Sequence, residues 1–144
     1  MSLVYPVMLK HYAGGQVGVR FADVPEAITA ASSVEAALAQ AADALLVALS
    51  GYVDEGRALP RASKPMRDQL VVALPTRVAF KFAIHAAMRQ SATTQTQLAA
   101  RLGIDGRQVR RILNLDHEST LAQMEAALAA LGRRASVVVS KIAA

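Results

Sequence analysis

Three helix-start signatures follow one another closely in the second half of this chain: Thr94-x-x-Gln97, Asp105-x-x-Gln108 and Thr120-x-x-Gln123. Each pairs a side-chain acceptor for the first free amides of a helix with a glutamine able to reach back to the cap. Gly103 and Gly132 stand where two of these helices must stop, because glycine enters the left-handed conformation of a helix terminus cheaply. Starts this close together demand short helices meeting at steep angles. The preceding stretch, with Val78, Phe82 and Ala86 beside Phe80, Ile84 and Met88, predicts a helix that is apolar on two sides and therefore largely buried.

Counting from Gln95, Ala99 falls where one helix must touch the next, and Gly103 falls at the turn. Ile104, Val109 and Ile112 point inward and pin the second helix. A small residue, a glycine and buried β-branched residues at this spacing form the helix-turn-helix pattern, although any tight pair of helices shares part of it. The outward residues favour DNA. Arg107 and Gln108 lie on the first turn of the second helix, where arginine can grip guanine and glutamine adenine. Thr94, Gln95, Arg110, Arg111 and Asn114 are candidates for phosphate contacts.

Charge supports the division. Residues 1–60 carry a net −3, residues 61–75 +2 and residues 76–144 +6, which together make the overall +5. Clustered cations favour a polyanionic partner, although a solvated basic surface looks the same by charge alone.

The first half reads differently. Leu3–His11 is an extended apolar run, Gly14-Gly15 a hairpin signal, and Val17, Val19 and Phe21 alternate with Gln16, Gly18 and Arg20. Ile28 to Ala31 returns as a third strand. Ser33 caps a long helix through Val34, Leu38, Ala41, Leu45 and Leu49, fraying near Gly51 and finished by Gly56. Leu70 to Leu74, stopped by Pro75, is a fourth strand. The expected fold class is α+β: a β-β-β-α-β unit over residues 1–75, then an all-α helix-turn-helix unit over 76–144 with a short C-terminal strand at Ala135–Val139. With 53% hydrophobic but only 4% aromatic residues, the core must be built from Ala, Leu and Val.

The succession YPVMLKHYAGGQVGVRFADVPEA, SSVEAALAQAADALLVAL, QLVVALP, the paired helices and LDHESTLAQMEAALAALG resembles the HicB-type antitoxins of bacterial toxin–antitoxin pairs. The resemblance runs from Tyr5 to about Gly132, and the order of the motifs is its specific part. It implies a truncated ribonuclease H-like fold in the first unit that occludes a small basic, HicA-like, RNA-cleaving toxin. It further implies a second unit that binds the operon's own double-stranded promoter DNA as a dimer. Asp23 and Pro25 match the family's loop after the second strand; Ala22, Glu26 and Ala27 depart from its usual Pro, Gly and Cys. An RNA-binding toxin should be basic, so an acidic surface would complement it, with Asp23, Glu26, Glu35 and Asp43 as candidate contacts.

Catalysis is not expected. Nuclease chemistry on such a fold needs several carboxylates converging on metal ions, yet Leu3–His11 and Gln16–Phe21 carry no acid. His11, His85 and His117 have no ligand spacing, no cofactor motif occurs, and there is no cysteine. No apolar run is expected to span a membrane, and no basic-then-apolar leader precedes Lys10, which together imply a soluble cytoplasmic protein. The competing reading is a stand-alone helix-turn-helix repressor with an effector-binding first unit. The valine-rich tail, Ala135–Val139 with Ile142, is expected to pair two chains into a homodimer or a higher even-numbered oligomer.

Overall fold

The computed structural model describes residues 1–142. They form two compact units, residues 1–74 together with 141–142, and residues 75–140, with five helices and two small antiparallel sheets among the described residues.

In the first unit the expected single strand Leu3–His11 is two strands. β1 (Val4–Pro6) pairs with β5 (Val71–Ala73), whereas β2 (Met8–His11) pairs with β3 (Val17–Arg20), which in turn pairs with β4 (Ile28–Ala31). The break falls at Val7. Its N–H donates to the Leu70 carbonyl at 2.9 Å, and Gln69 Nε2 donates to its carbonyl at 3.2 Å. Both polar backbone groups of Val7 are thus committed to the approach to β5, so the ladder with β3 can begin only at Met8.

α1 (Val34–Asp54) starts at Ser33, whose Oγ accepts from Ala36 N–H at 3.1 Å. It does not fray at Gly51, because Tyr52 lies beyond that glycine and is buried. Ala37, Ala41, Leu45, Leu49 and Tyr52 form its buried stripe. Fully burying a leucine contributes about 1.5–3 kcal/mol, so Leu45 and Leu49 anchor the helix against the face of the sheet that carries Val17, Val19 and Ala31. Against the expectation that no apolar run could span a membrane, the 21-residue α1, whose most apolar 18-residue stretch has mean hydropathy 1.5, is long and apolar enough to do so by length and composition alone. Its apolarity owes much to alanines at 36, 39, 42, 44 and 48, off the buried stripe.

The connection from α1 to β5 has no regular structure but is tied down repeatedly. The Tyr5 hydroxyl donates to Pro60 O at 2.7 Å, and Arg57 stacks on the Tyr52 ring at 4.0 Å. Burial, then the charge of Asp23 and Tyr52, pushes the Tyr5 phenol up to about 12.

The second unit packs α2 (Thr76–Gln90), α3 (Gln95–Leu102), α4 (Gly106–Leu113) and α5 (Leu121–Ala130) around Ile84, Met88, Leu98, Val109, Ile112 and Leu128. The expected C-terminal strand is absent among the described residues. Residues 133–142 have no regular structure, and Val137, Val138, Val139 and Ile142 are 82–95% exposed. A strand exists only as part of a ladder, and none of the described strands pairs with this segment. The last two residues of the predicted pairing tail, 143 and 144, lie outside the described residues.

Candidate functional site

α3 and α4 are built by the caps legible in the sequence. Thr94 Oγ1 accepts from Gln97 N–H at 3.1 Å while Gln97 Oε1 accepts from Thr94 N–H at 2.9 Å. α3 ends at Gly103, φ +66°, where the N–H of Ile104 returns to Ala99 O at 3.1 Å. A positive φ here is close to free for glycine alone. Asp105 then accepts from Gln108 N–H at 2.8 Å to start α4. No return bond from the Gln108 side chain forms, unlike at Thr94 and Thr120. That leaves the Gln108 amide uncommitted.

On α4, Val109, Ile112 and Leu113 are buried and Arg107, Gln108, Arg110 and Arg111 are exposed. Thr94, Gln95 and Asn114 are exposed too, so the seven predicted DNA contacts all reach solvent. Two of them already have internal duties: Thr94 as a cap, and Asn114, whose Oδ1 accepts from Asp116 N–H at 2.9 Å. Among the described residues no carboxylate lies within ion-pair distance of Arg107, Arg110 or Arg111. A small cavity of about 100 Å³ opens beside this helix, lined by Gln108, Arg111, Ile112, His117, Ser119 and Gln123.

Sequence reasoning missed Lys81. This lysine is fully buried, and its Nζ donates to Arg111 O at 3.0 Å, Asn114 O at 2.6 Å and Ser119 Oγ at 2.9 Å. It thereby caps the C-terminal end of α4 and the turn that follows, where carbonyls lack helical partners and the helix dipole favours a cation. Burial lowers its pKa, and the nearby charge of Arg77 lowers it further. His85 Nε2 lies 2.9 Å from Leu113 O and supports the same end. The signal was a lysine between Phe80 and Phe82 on an apolar helix, hidden by counting it with the surface cations.

The four acids proposed for a protein partner divide into two kinds. Asp23 accepts from Ser63 N–H at 2.8 Å and from Ser63 Oγ at 2.6 Å, and Glu26 accepts from the Tyr52 hydroxyl at 2.9 and 3.0 Å. A bond to its own backbone N–H, then the Tyr52 hydroxyl, holds the Glu26 carboxyl below its ordinary range. Both carboxylates brace the fold. Glu35 and Asp43 stand exposed on α1, with no hydrogen bond or ion pair among the described residues. Among the described residues no three His, Asp or Glu side chains gather as a metal would require.

The small α+β unit is followed along the chain by a basic helical unit, and comparisons with known proteins assign the chain to the antitoxins of bacterial toxin–antitoxin systems. The model of the HicB-like antitoxins of bacterial toxin–antitoxin systems matches residues 4–83. Antitoxin HicB of Escherichia coli (strain K12) is 34% identical over 134 residues, covering 93% of this chain and 97% of the relative. Antitoxin HicB 2 of Photorhabdus laumondii is 34% identical over 137 residues, covering 95% and 96%, and Antitoxin HicB of Pseudomonas fluorescens is 35% identical over 125 residues, covering 86% of each. The chain belongs to the HicB-like antitoxin family.

Proposed function

We propose that this antitoxin neutralises a small basic RNA-cleaving toxin through its first unit, a degenerate ribonuclease H-like domain (residues 1–75), and represses its own operon through its second. In this reading α3 and α4 are a helix-turn-helix whose second helix enters the major groove, with Arg107 and Gln108 reading bases. Arg110, Arg111, Asn114, Gln95 and Thr94 hold phosphates. The observation that carries the DNA role is α4 itself, buried through Val109, Ile112 and Leu113 and presenting arginines on its other side with no acid among the described residues paired to them.

The toxin is met by the acidic side of the first unit, where Glu35 and Asp43 are unoccupied. Asp23 and Glu26 contribute by holding the loops in shape. In this reading the protein works without cofactor or catalysis: Asp23 and Glu26 are engaged by Ser63 and Tyr52, and among the described residues no three His, Asp or Glu side chains converge for nuclease chemistry. It acts in the cytoplasm as a homodimer or a higher even-numbered oligomer. Half-sites about one helical turn apart require two copies of the motif, and the exposed Val137–Val139 segment is suited to pairing with its counterpart.

The test is co-expression with the product of the adjacent reading frame, which this reading expects to be a short basic protein. Co-purification and rescue of growth are expected, with Glu35→Lys/Asp43→Lys weakening both. The same complex should retard a duplex from its own promoter and release it as salt rises. Binding without salt dependence refutes the DNA role, and absence of rescue refutes the antitoxin mechanism.

A further inference from the structure

The three-stranded sheet has two faces, and only one is covered by the described residues. Val17, Val19 and Ala31 turn toward α1, and Thr29 Oγ1 donates to Gln40 on that helix at 3.1 Å. The strand register places the alternate residues together on the other face: Met8 opposite Arg20 opposite Ile28, then Lys10 opposite Gly18 opposite Ala30. This face is open, with Ile28 68% exposed and Met8 37% exposed.

Its composition is unusual for a solvated sheet face, which ordinarily alternates to polar residues. Gly18 and Ala30 make a low floor. The Tyr12 ring lies over Gly18 so closely that a Cβ there would meet Tyr12 Cε2 at 2.9 Å. Lys10 Nζ sits 5.1 Å from the centre of that ring, and the tyrosine remains 49% exposed. Charge is segregated as well. Of the three cations in residues 1–60, Lys10 and Arg20 lie on this face, and none of the six acids does. Arg57, the third, is paired with Glu55 at 3.0 Å. The acids sit in the loop after β3 and along α1 and its cap.

We infer that this open face binds single-stranded RNA, an unpaired base stacking on the exposed side of the Tyr12 ring, above Ala30, while Lys10 and Arg20 hold the flanking phosphates. An exposed ring with cations beside it on an open surface is the general solution for holding unpaired bases. An exposed ring serves unpaired bases, whose faces are free to stack, rather than a duplex, whose bases already stack on one another, and RNA is the single strand that a cell offers in quantity. A basic toxin would be repelled by Lys10 and Arg20, so this surface is separate from the one proposed for the toxin. The inference rests on neither the toxin-binding nor the duplex-binding reading.

The chain reports on the site by itself, because it has three tyrosines and no tryptophan, and Tyr5 and Tyr52 are buried. Titrating the full chain with an oligouridylate of about twelve nucleotides should quench the tyrosine emission saturably. Tyr12→Ala, followed with a fluorescein-labelled strand, should weaken binding roughly ten-fold or more, and Tyr12→Phe should keep it. Gly18→Ala, which displaces the ring, should behave as Tyr12→Ala. Lys10→Gln and Arg20→Gln should each lower the salt slope by about 0.7. Arg107→Ala/Arg111→Ala should leave this binding intact while losing duplex DNA, so failure here and failure of the DNA reading are told apart. Binding that survives Tyr12→Ala, or that vanishes in the Arg107→Ala/Arg111→Ala variant, puts the strand elsewhere and overturns the inference. Equal quenching by polyglutamate would assign the face to an acidic protein, and equal affinity for oligothymidylate would remove the RNA preference.

Discussion

Lys81 offers the sharpest test of how the second unit is held together. Replacing it with methionine keeps the length and apolar stem of the side chain while removing the ammonium. Arg111 O, Asn114 O and Ser119 Oγ then lose their donor. Hydrogen bonds to a charged group contribute about 1.5–3 kcal/mol each, and the desolvation of a buried ion returns several kcal/mol of that. Ser119 is the most easily relieved, because its hydroxyl already lies 3.4 Å from Arg111 O. What remains is a buried carbonyl at Asn114 and a poorly served one at Arg111, at about 1–3 kcal/mol per unsatisfied group. Lys81→Met should therefore destabilise the helical unit by about 2–4 kcal/mol.

Urea unfolding followed by far-UV circular dichroism measures this directly. A slope of about 1–3 kcal/mol/M turns the loss into a midpoint lower by roughly 1–2 M. The pH dependence has a definite sign. Burial lowers the folded pKa below the 10.5 of a free lysine, so in the window between the two values the unfolded chain binds more protons and stability rises with pH. That rise should be present in the unmodified protein and missing from Lys81→Met. A variant as stable as the parent, or more stable, would mean that the ammonium's desolvation outweighs its three bonds, and the capping argument would fail.

Gly103→Ala meets no atom within 4 Å, so its cost is the left-handed backbone alone, about 1–2 kcal/mol by urea titration. A loss far above that would point to packing rather than φ. Arg107→Ala should cost about 1–3 kcal/mol at one base pair of the operator, whereas Arg111→Ala should weaken every duplex alike and reduce the salt slope by about 0.9; fluorescence anisotropy on matched and altered duplexes separates the two. Because the Glu26 carboxyl is held below the ordinary 4.5, its contribution is present above that pH and disappears as pH falls through the lowered value. Glu26→Gln should accordingly flatten the acid limb of a thermal-stability profile, and an unchanged limb would deny the Tyr52 bond any weight. Removal of residues 135–144 should convert a dimer into a monomer in light scattering, and a persisting dimer would free the tail of that role.

The parts of this fold legible in the sequence are those set by neighbours along the chain. The Thr94, Asp105 and Thr120 caps, the glycine at 103 and the alternation of Val17 and Val19 each depend on a few adjacent residues, and each signature leaves its mark within one turn or one strand. What could not be read depends on partners far away. Val7 changes sheets because Leu70 and Gln69 claim its backbone, and no pattern within Leu3–His11 announces that. Asp23 and Glu26 looked like free acids because Ser63 and Tyr52 are 40 and 26 residues distant. Lys81 looked like one more surface cation until three acceptors from 30 to 38 residues away closed on it. In the candidate site, exposure on α4 followed from helical periodicity, while the support beneath it did not.

The ties across the first unit also dictate an order of assembly. Tyr5 meets Pro60, Asp23 meets Ser63 and Val7 meets Gln69, spanning 55, 40 and 62 residues, and β1 has no ladder before Val71–Ala73 exists. On the ribosome the amino-terminal segment must therefore wait, half its edge unclaimed, until nearly the whole unit has emerged. Non-local closure of this kind is slow, whereas contacts among short neighbouring helices form quickly. Although it is made second, the helical unit is thus set to mature within moments of its own synthesis, while the sheet that precedes it is the later and more vulnerable part of a newborn chain.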